Sequence, residues 1–202
     1  MSETYGFDKL SIRKLTTKRE PDETAKVHVI EGTATEGAPV TMEITGLTKE
    51  AVKVWGGDVE YFTIRKGVGA VAANFGLLDV PSAVDQEILG YLEMAEGIDA
   101  IGNDSEAPYV AVVAESEDLN SGAPVAFGIV SGTFGKDGFS LATKTDEDFT
   151  PEPGEYVLTA VSRKVKIEEK EKQVHVLRAF GDAAVKKMKE AVLGKETTVP
   201  EG

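Results

Sequence analysis

A chain of 202 residues with 41% hydrophobic and 28% charged residues has the makeup of a folded domain with a real core, which excludes a disordered tail. Its 22 Lys and Arg against 35 Asp and Glu give a formal charge of -13, and this argues against tight binding to nucleic-acid phosphates, which are gripped by cations. The absence of cysteine removes disulfides, thiol nucleophiles and cysteine-ligated zinc together.

Residues 1–6 lack a basic-then-apolar signal pattern, and no apolar run approaches the roughly 18 residues that span a bilayer. The expectation is a protein made and kept in a cytoplasm. Residues 16–26 are charged, contain Pro21 and lack apolar periodicity, so they read as a long surface loop. Half-buried strands are predicted at 26–30 and 40–45, bounded by Gly32, Gly37 and Gly46. Residues 51–55 and 59–64 flank Gly56-Gly57-Asp58, whose glycines permit the positive φ of a tight turn, and this pair reads as a β-hairpin. Residues 67–75 are small and apolar, as in a strand closely approached by other backbone.

Pro81 and Ser82 open a predicted helix whose Val84, Ile88, Tyr91 and Leu92 share a face, with Asp85 placed to complete a cap. Residues 109–113 and 125–130 read as central strands buried on both faces. A second charged loop spans 144–153, and strands follow at 155–161 and 173–177. Asp182 opens a second helix with Ala184, Val185, Met188, Ala191 and Val192 on one face, ending at Gly194. Lys186, Lys187 and Lys189 on its other face read as a solvated stripe rather than a membrane or partner surface. Residues 1–194 form one predicted domain, and 195–202 a flexible tail with no means of burying itself.

Chemistry finds little purchase. The two histidines, His28 and His175, lie in predicted strands and read as structural or surface residues, since no acid partner or further ligand is specified. Gly67-Val68-Gly69 followed by Ala72 imitates a dinucleotide loop, but strand-like sequence follows where a helix is needed. Residues 132–136 end as a phosphate loop does, yet Val130 stands in place of its first glycine and Asp137 in place of its magnesium-binding hydroxyl. Asp99, Asn103, Asp104 and Glu106 read as turn chemistry, their spacing not matching the helix-loop-helix calcium pattern. Trp55 sits beside the hairpin turn, away from any aromatic platform. No catalytic residue, cofactor or metal is expected.

From Lys66 to Phe134 the residues follow one another in a distinctive order. Lys66, Gly67 and Gly69 come first, then Asp79 with Pro81, Gly90 with Tyr91, and Pro108 with Tyr109. Phe127 with Gly128 and Gly132 with Phe134 complete the series. In this order and spacing the chain resembles the phage major tail proteins of the phi13 type, subunits of the non-contractile siphophage tail tube, with weaker likeness from Tyr5 to about Ala191.

The resemblance implies a mainly β fold with some α: a β-sandwich or partly closed barrel with a flanking helix near 81–92, a helix near 182–193, a long hairpin and extended arms. It implies a structural virion protein rather than an enzyme, polymerising with itself as stacked hexameric rings around a channel for DNA. A tape measure protein, a distal tail initiator and a tail terminator are its implied partners, and the virion tail, assembled in the host bacterial cytoplasm, its implied place. The hairpin at 50–66 is the natural inter-subunit arm, with Val52, Val54, Trp55, Val59, Tyr61 and Thr63 as interface candidates. Two other readings stay open: the tube protein of a headless tail, contractile injection or type VI-like system, and a carbohydrate-binding or adhesion β-sandwich.

Overall fold

The computed structural model describes residues 3–56, 58–141, 143 and 150–195. Its first strand, β1 (Thr4–Lys14), has no counterpart among the predicted elements. Gly6 at φ 83 and a bulge between Tyr5 and Lys9 break the alternation, so only Leu10 and Ile12 mark the buried face. Residues 16–26 form turns at the surface, with the Thr16 amide donating to the Glu20 carbonyl. β2 (Val27–Ile30), β3 (Ala38–Thr45) and the hairpin of β4 (Val52–Gly56) and β5 (Val59–Ile64) fall where the alternation predicts.

The strand expected at 67–75 is displaced: β6 is Ala72–Leu78, and 67–71 are coil. The reason lies in Gly69, whose amide donates to the Gly46 carbonyl at 2.9 Å and so closes a neck instead of extending a ladder. α1 (Ser82–Leu89) also stops short of its expected end. Gly90 takes the left-handed conformation at φ 68 and its amide bonds Gln86, ending the helix before Tyr91 and Leu92. Val84, Ile88 and Leu89 are the buried helical residues, while Leu92 is exposed.

Asp85 makes no cap. Its carboxylate instead accepts from the Tyr156 hydroxyl at 2.6 Å and from Lys136 Nζ at 3.3 Å, and the Lys136 ammonium also donates to Tyr156 Oη at 2.9 Å. Burial, then the Asp85 bond, push the Tyr156 hydroxyl far above its ordinary pKa, so it stays a proton donor. This cluster fastens α1 to the sheet.

β7 (Leu92–Ala95) and β8 (Ile98–Ala100) form a short hairpin that apolar periodicity does not announce. β9 (Val110–Asp118), β10 (Pro124–Gly135) and β11 (Gly154–Ala160) follow. The strand expected at 173–177 is two strands. β12 (Arg163–Ile167) and β13 (Lys170–Val174) make a separate hairpin, and β14 (Val176–Phe180) returns to the main sheet. The break falls at His175, whose carbonyl accepts from the Val130 amide at 3.0 Å. α2 (Asp182–Leu193) completes the described elements. Its N-cap is Gly181, with Asp182 inside the first turn, and Ala184 and Ala191 are exposed where burial was expected. Of 144–153 only 150–153 are described, as exposed coil; of the 195–202 tail only Lys195 lies within the described residues.

The main sheet runs β2-β1-β9-β10-β11-β6-β3, entirely antiparallel, with β14 beside β10. It does not close; β2, β3 and β14 each have one strand neighbour among the described residues. β10 joins two layers: residues 125–129 pair with β14, and after a bulge between Ile129 and Gly132 residues 132–135 pair with β11. Alternation along β9 feeds two cores. Val110 and Val112 face a cluster with Leu10, Ile12, Phe75 and Leu158, while Ala111 and Val113 face α2 through Val185, Met188 and Val192. The result is a mainly β, sandwich-like fold with two helices.

Two buried arginines hold the end of α2. Arg13, 2% exposed, donates from Nη1 to the carbonyls of Leu193 (2.9 Å) and Lys195 (3.1 Å) and from Nε to Ala25 (3.1 Å). Arg163, 5% exposed, donates to Ala191 at 2.6 Å and Val192 at 3.3 Å. The last carbonyls of a helix lack internal partners and carry its negative pole, so the pairing satisfies both hydrogen bonding and charge. Burial lowers the pKa of the Arg163 guanidinium, with Glu20 opposing that shift.

The turn joining β12 and β13 is strained. Glu168 and Glu169 both take positive φ, 48° and 63°, a geometry that favours Asn-Gly. Replacing them together (Glu168→Asn, Glu169→Gly) is expected to stabilise the fold by about 1–2 kcal/mol, read as a raised urea midpoint at unchanged slope.

Candidate assembly surfaces

Alternation of Val, Lys, Val and Trp before the turn builds a ribbon that the fold leaves uncovered. Every described residue of β4 and β5 is exposed, and among the described residues the two strands pair only with each other. Asp58, at φ 60, completes the turn. The register sets Val52 opposite Ile64 and Val54 opposite Phe62, which places these four apolar side chains on one face. Lys53 stands opposite Thr63 on the other face, where Glu60 accepts from Lys53 at 3.0 Å and from the Thr63 hydroxyl. These bonds, Thr63 first and then Lys53, hold the Glu60 carboxyl below its ordinary pKa. One face is polar and satisfied; the other is apolar and bare.

A bulge between Val54 and Trp55 shifts the pattern of the sequence. Of the predicted interface residues, Val52 and Val54 share the apolar face, but Thr63 lies across the ribbon from them. Trp55, Val59 and Tyr61 cluster toward the turn, 65%, 60% and 74% exposed, and the Tyr61 ring meets Phe62 edge-on at 5.6 Å. Phe62 and Ile64 are the members that strict alternation passes over. Their aromatic and β-branched character was the available signal.

The neck of the hairpin is a close backbone crossing. Gly46 sits at φ 72, and a Cβ there would lie 1.9 Å from the Ala70 carbonyl oxygen. The residues that carry the family likeness mostly shape the fold. Gly69 closes this neck, Pro81 and Gly90 bound α1, Gly128 lies beneath Met188 and Val192 of α2, and Phe134 packs between Phe75 and Tyr156. Gly132 meets the Thr159 carbonyl, Tyr91 packs on the core, and Tyr109 lies under the Arg19 guanidinium at 5.8 Å. Lys66 is exposed beyond β5, Gly67 and Asp79 adopt positive φ, Phe127 pairs with Arg178 across β14, and Pro108 is half-buried.

His28 bonds Glu87 at 2.8 Å, joining β2 to α1, and His175 marks the break before β14. Among the described residues no group of three or more His, Asp or Glu is arranged to hold a metal ion. A groove of about 540 Å³ beside α2 is spanned by the Lys189–Glu115 ion pair at 2.9 Å. None of the described helices is long and apolar enough to cross a membrane.

The sequence profile of the phage tail tube protein family matches residues 22–193. The chain belongs to the phage tail tube protein family. No curated protein matches it. A tail tube protein is a structural component of the virion rather than an enzyme, and it assembles with copies of itself into a tube. The match takes in the β4–β5 ribbon, both short hairpins and α2, while β1, outside it, supplies an interior strand of the tail tube protein's main sheet, between the edge strand β2 and β9.

Proposed function

We propose that this subunit polymerises as stacked hexameric rings forming the non-contractile tail tube of a siphophage of the phi13 type, and that the β4–β5 ribbon is its inter-subunit arm. One observation carries the reading: Val52, Val54, Phe62 and Ile64 form an exposed apolar face on a ribbon with no other strand partner among the described residues. An isolated two-stranded ribbon is marginal in water, and a neighbouring subunit that covers this face stabilises it. In this reading residues 1–194 act as one domain carrying the arm at 50–66, and 195–202 as its tail. Trp55, Val59 and Tyr61 extend the contact at the tip, with Thr63 bracing the polar face. The tube grows from a distal tail initiator along a tape measure protein to a terminator in the host cytoplasm, and the formal charge of -13 keeps its channel repulsive to passing DNA.

Negative-stain electron microscopy with sedimentation over a concentration series tests the tube. Replacing residues 51–64 by a short turn tests the arm. The expected outcome is a folded monomer with no tubes at concentrations on the order of 100-fold above those at which the intact chain assembles. Normal tubes from the shortened chain would show that the contact lies elsewhere.

A further inference from the structure

Alternation gives the sheet of β3, β6, β11 and the end of β10 two unlike sides. Met42, Phe75, Leu158 and Phe134 point inward to the first core. On the outward side the register sets Thr45, Ala72, Thr159 and Thr133 in one row across the four strands. The next rows bring two exposed carboxylates, Glu43 and Glu155, among small or uncharged residues. None of the outward positions in these rows holds a Lys, an Arg or an aromatic ring. Lys136, which follows β10, is turned away from this side and bonds Asp85 and Tyr156.

Other exposed strands of the same chain are built differently. β12 and β13 carry exposed lysines at 164, 166, 170 and 172, and the β4–β5 arm carries a bare apolar face. A subunit contact draws on aromatic, apolar and Arg side chains, whereas the only large apolar side chain exposed on the outward side is Val157, at 38%. A surface free of cations and rings suits a polyanion that must pass without being held. Each Lys or Arg would capture a phosphate through counterion release, and each aromatic ring would offer a base a stacking platform. Short hydroxyls stay hydrated and present no obstacle.

We infer that the outward side of the β3-β6-β11-β10 sheet is the wall of the channel, and that Glu43 and Glu155 are the carboxylates that keep DNA from adhering to it. Screening limits the choice to residues on the wall itself. Exposed charges act over a Debye length of about 8 Å at physiological salt, so carboxylates on the arm, the short hairpins or α2 are muted at the path of the DNA. Of the chain's 35 acidic residues, these two stand on the cation-free side of the sheet. The inference rests on the tube reading and gives its channel a surface.

The chain has no cysteine, so Asn74→Cys and, separately, Thr159→Cys each place a single thiol on this side. In the free subunit both thiols should react with a small maleimide and with a bulky polymer-linked one. In tubes the small reagent is expected to keep its reaction and the bulky one to lose it. Reaction with both reagents in tubes would put the face outside; protection from both, or failure of both variants to assemble where the unaltered chain does, would make it a subunit contact. Either result overturns the wall and leaves the tube reading standing. A chain with Glu43→Lys and Glu155→Lys is expected to build tubes that hold short duplex DNA in a nuclease-protected form, released by high salt, where unaltered tubes hold none. Reversed tubes that stay empty, or a reversed chain that builds none, would remove the two carboxylates from this role. If the unaltered chain forms neither tubes nor rings under any condition, both readings fall together.

Discussion

Replacing Gly46 by alanine is expected to destabilise the subunit by several kcal/mol and to abolish tube formation at concentrations where the unaltered chain assembles. Two costs add. The backbone holds φ 72, where an L side chain costs about 1–2 kcal/mol. The new Cβ would also stand 1.9 Å from the Ala70 carbonyl oxygen and 2.5 Å from its carbon, and both are backbone atoms that no rotamer change can move. Relief requires the strands at the neck to part, breaking the Gly69-to-Gly46 hydrogen bond that holds the two ends of the arm together. The arm then leaves the sheet at an altered angle. Urea unfolding and electron microscopy on the same preparation separate the two effects, and a Gly46→Ala chain that unfolds and assembles normally would contradict the role given to the crossing.

Arg13→Met is expected to cost about 3–5 kcal/mol, a large share of the 5–15 kcal/mol that holds a typical domain together. Methionine fills much of the volume, so the loss isolates the three carbonyls of Ala25, Leu193 and Lys195 that the guanidinium satisfies. With Arg163 still holding Ala191 and Val192, α2 stays docked through Val185 and Met188 but frays at its last turn. Hydrogen exchange should accelerate first in residues 190–194. Arg13→Lys keeps the charge but not the planar fork, and is expected to recover only part of the loss. A melting temperature within about 2 °C of the unaltered chain for Arg13→Met would refute the clamp.

Legibility in the sequence followed burial pattern. β3, β4, β5, β9, β10 and β11 were readable because apolar runs sit between turn residues, and the family order carried the fold class that those runs alone leave open. The short hairpins were not, because β7, β8, β12 and β13 are solvated on one or both faces and lack the apolar alternation that marks a half-buried strand. In the arm, the bulge at Val54 and Trp55 moved Phe62 and Ile64 onto the bare face and Thr63 off it, a change of one residue that reverses every assignment beyond it. Arg13 and Arg163 were invisible for a different reason. A basic residue in a strand reads as solvent-facing, and only the docked helix end reveals that its partners are main-chain carbonyls.

The position of β1 sets the order in which the sheet and its two cores can close. It lies between β2 and β9, so β1 meets one neighbour early but waits for the other until about a hundred residues later, and the second core closes only when α2 arrives. Until β9 is made β1 keeps an open edge, although the neck of the arm, built from residues 46–70, is already made. The wiring of the sheet thus ties the closing of the second core to elements far apart in the sequence, β1 at one end of the described residues and α2 at the other.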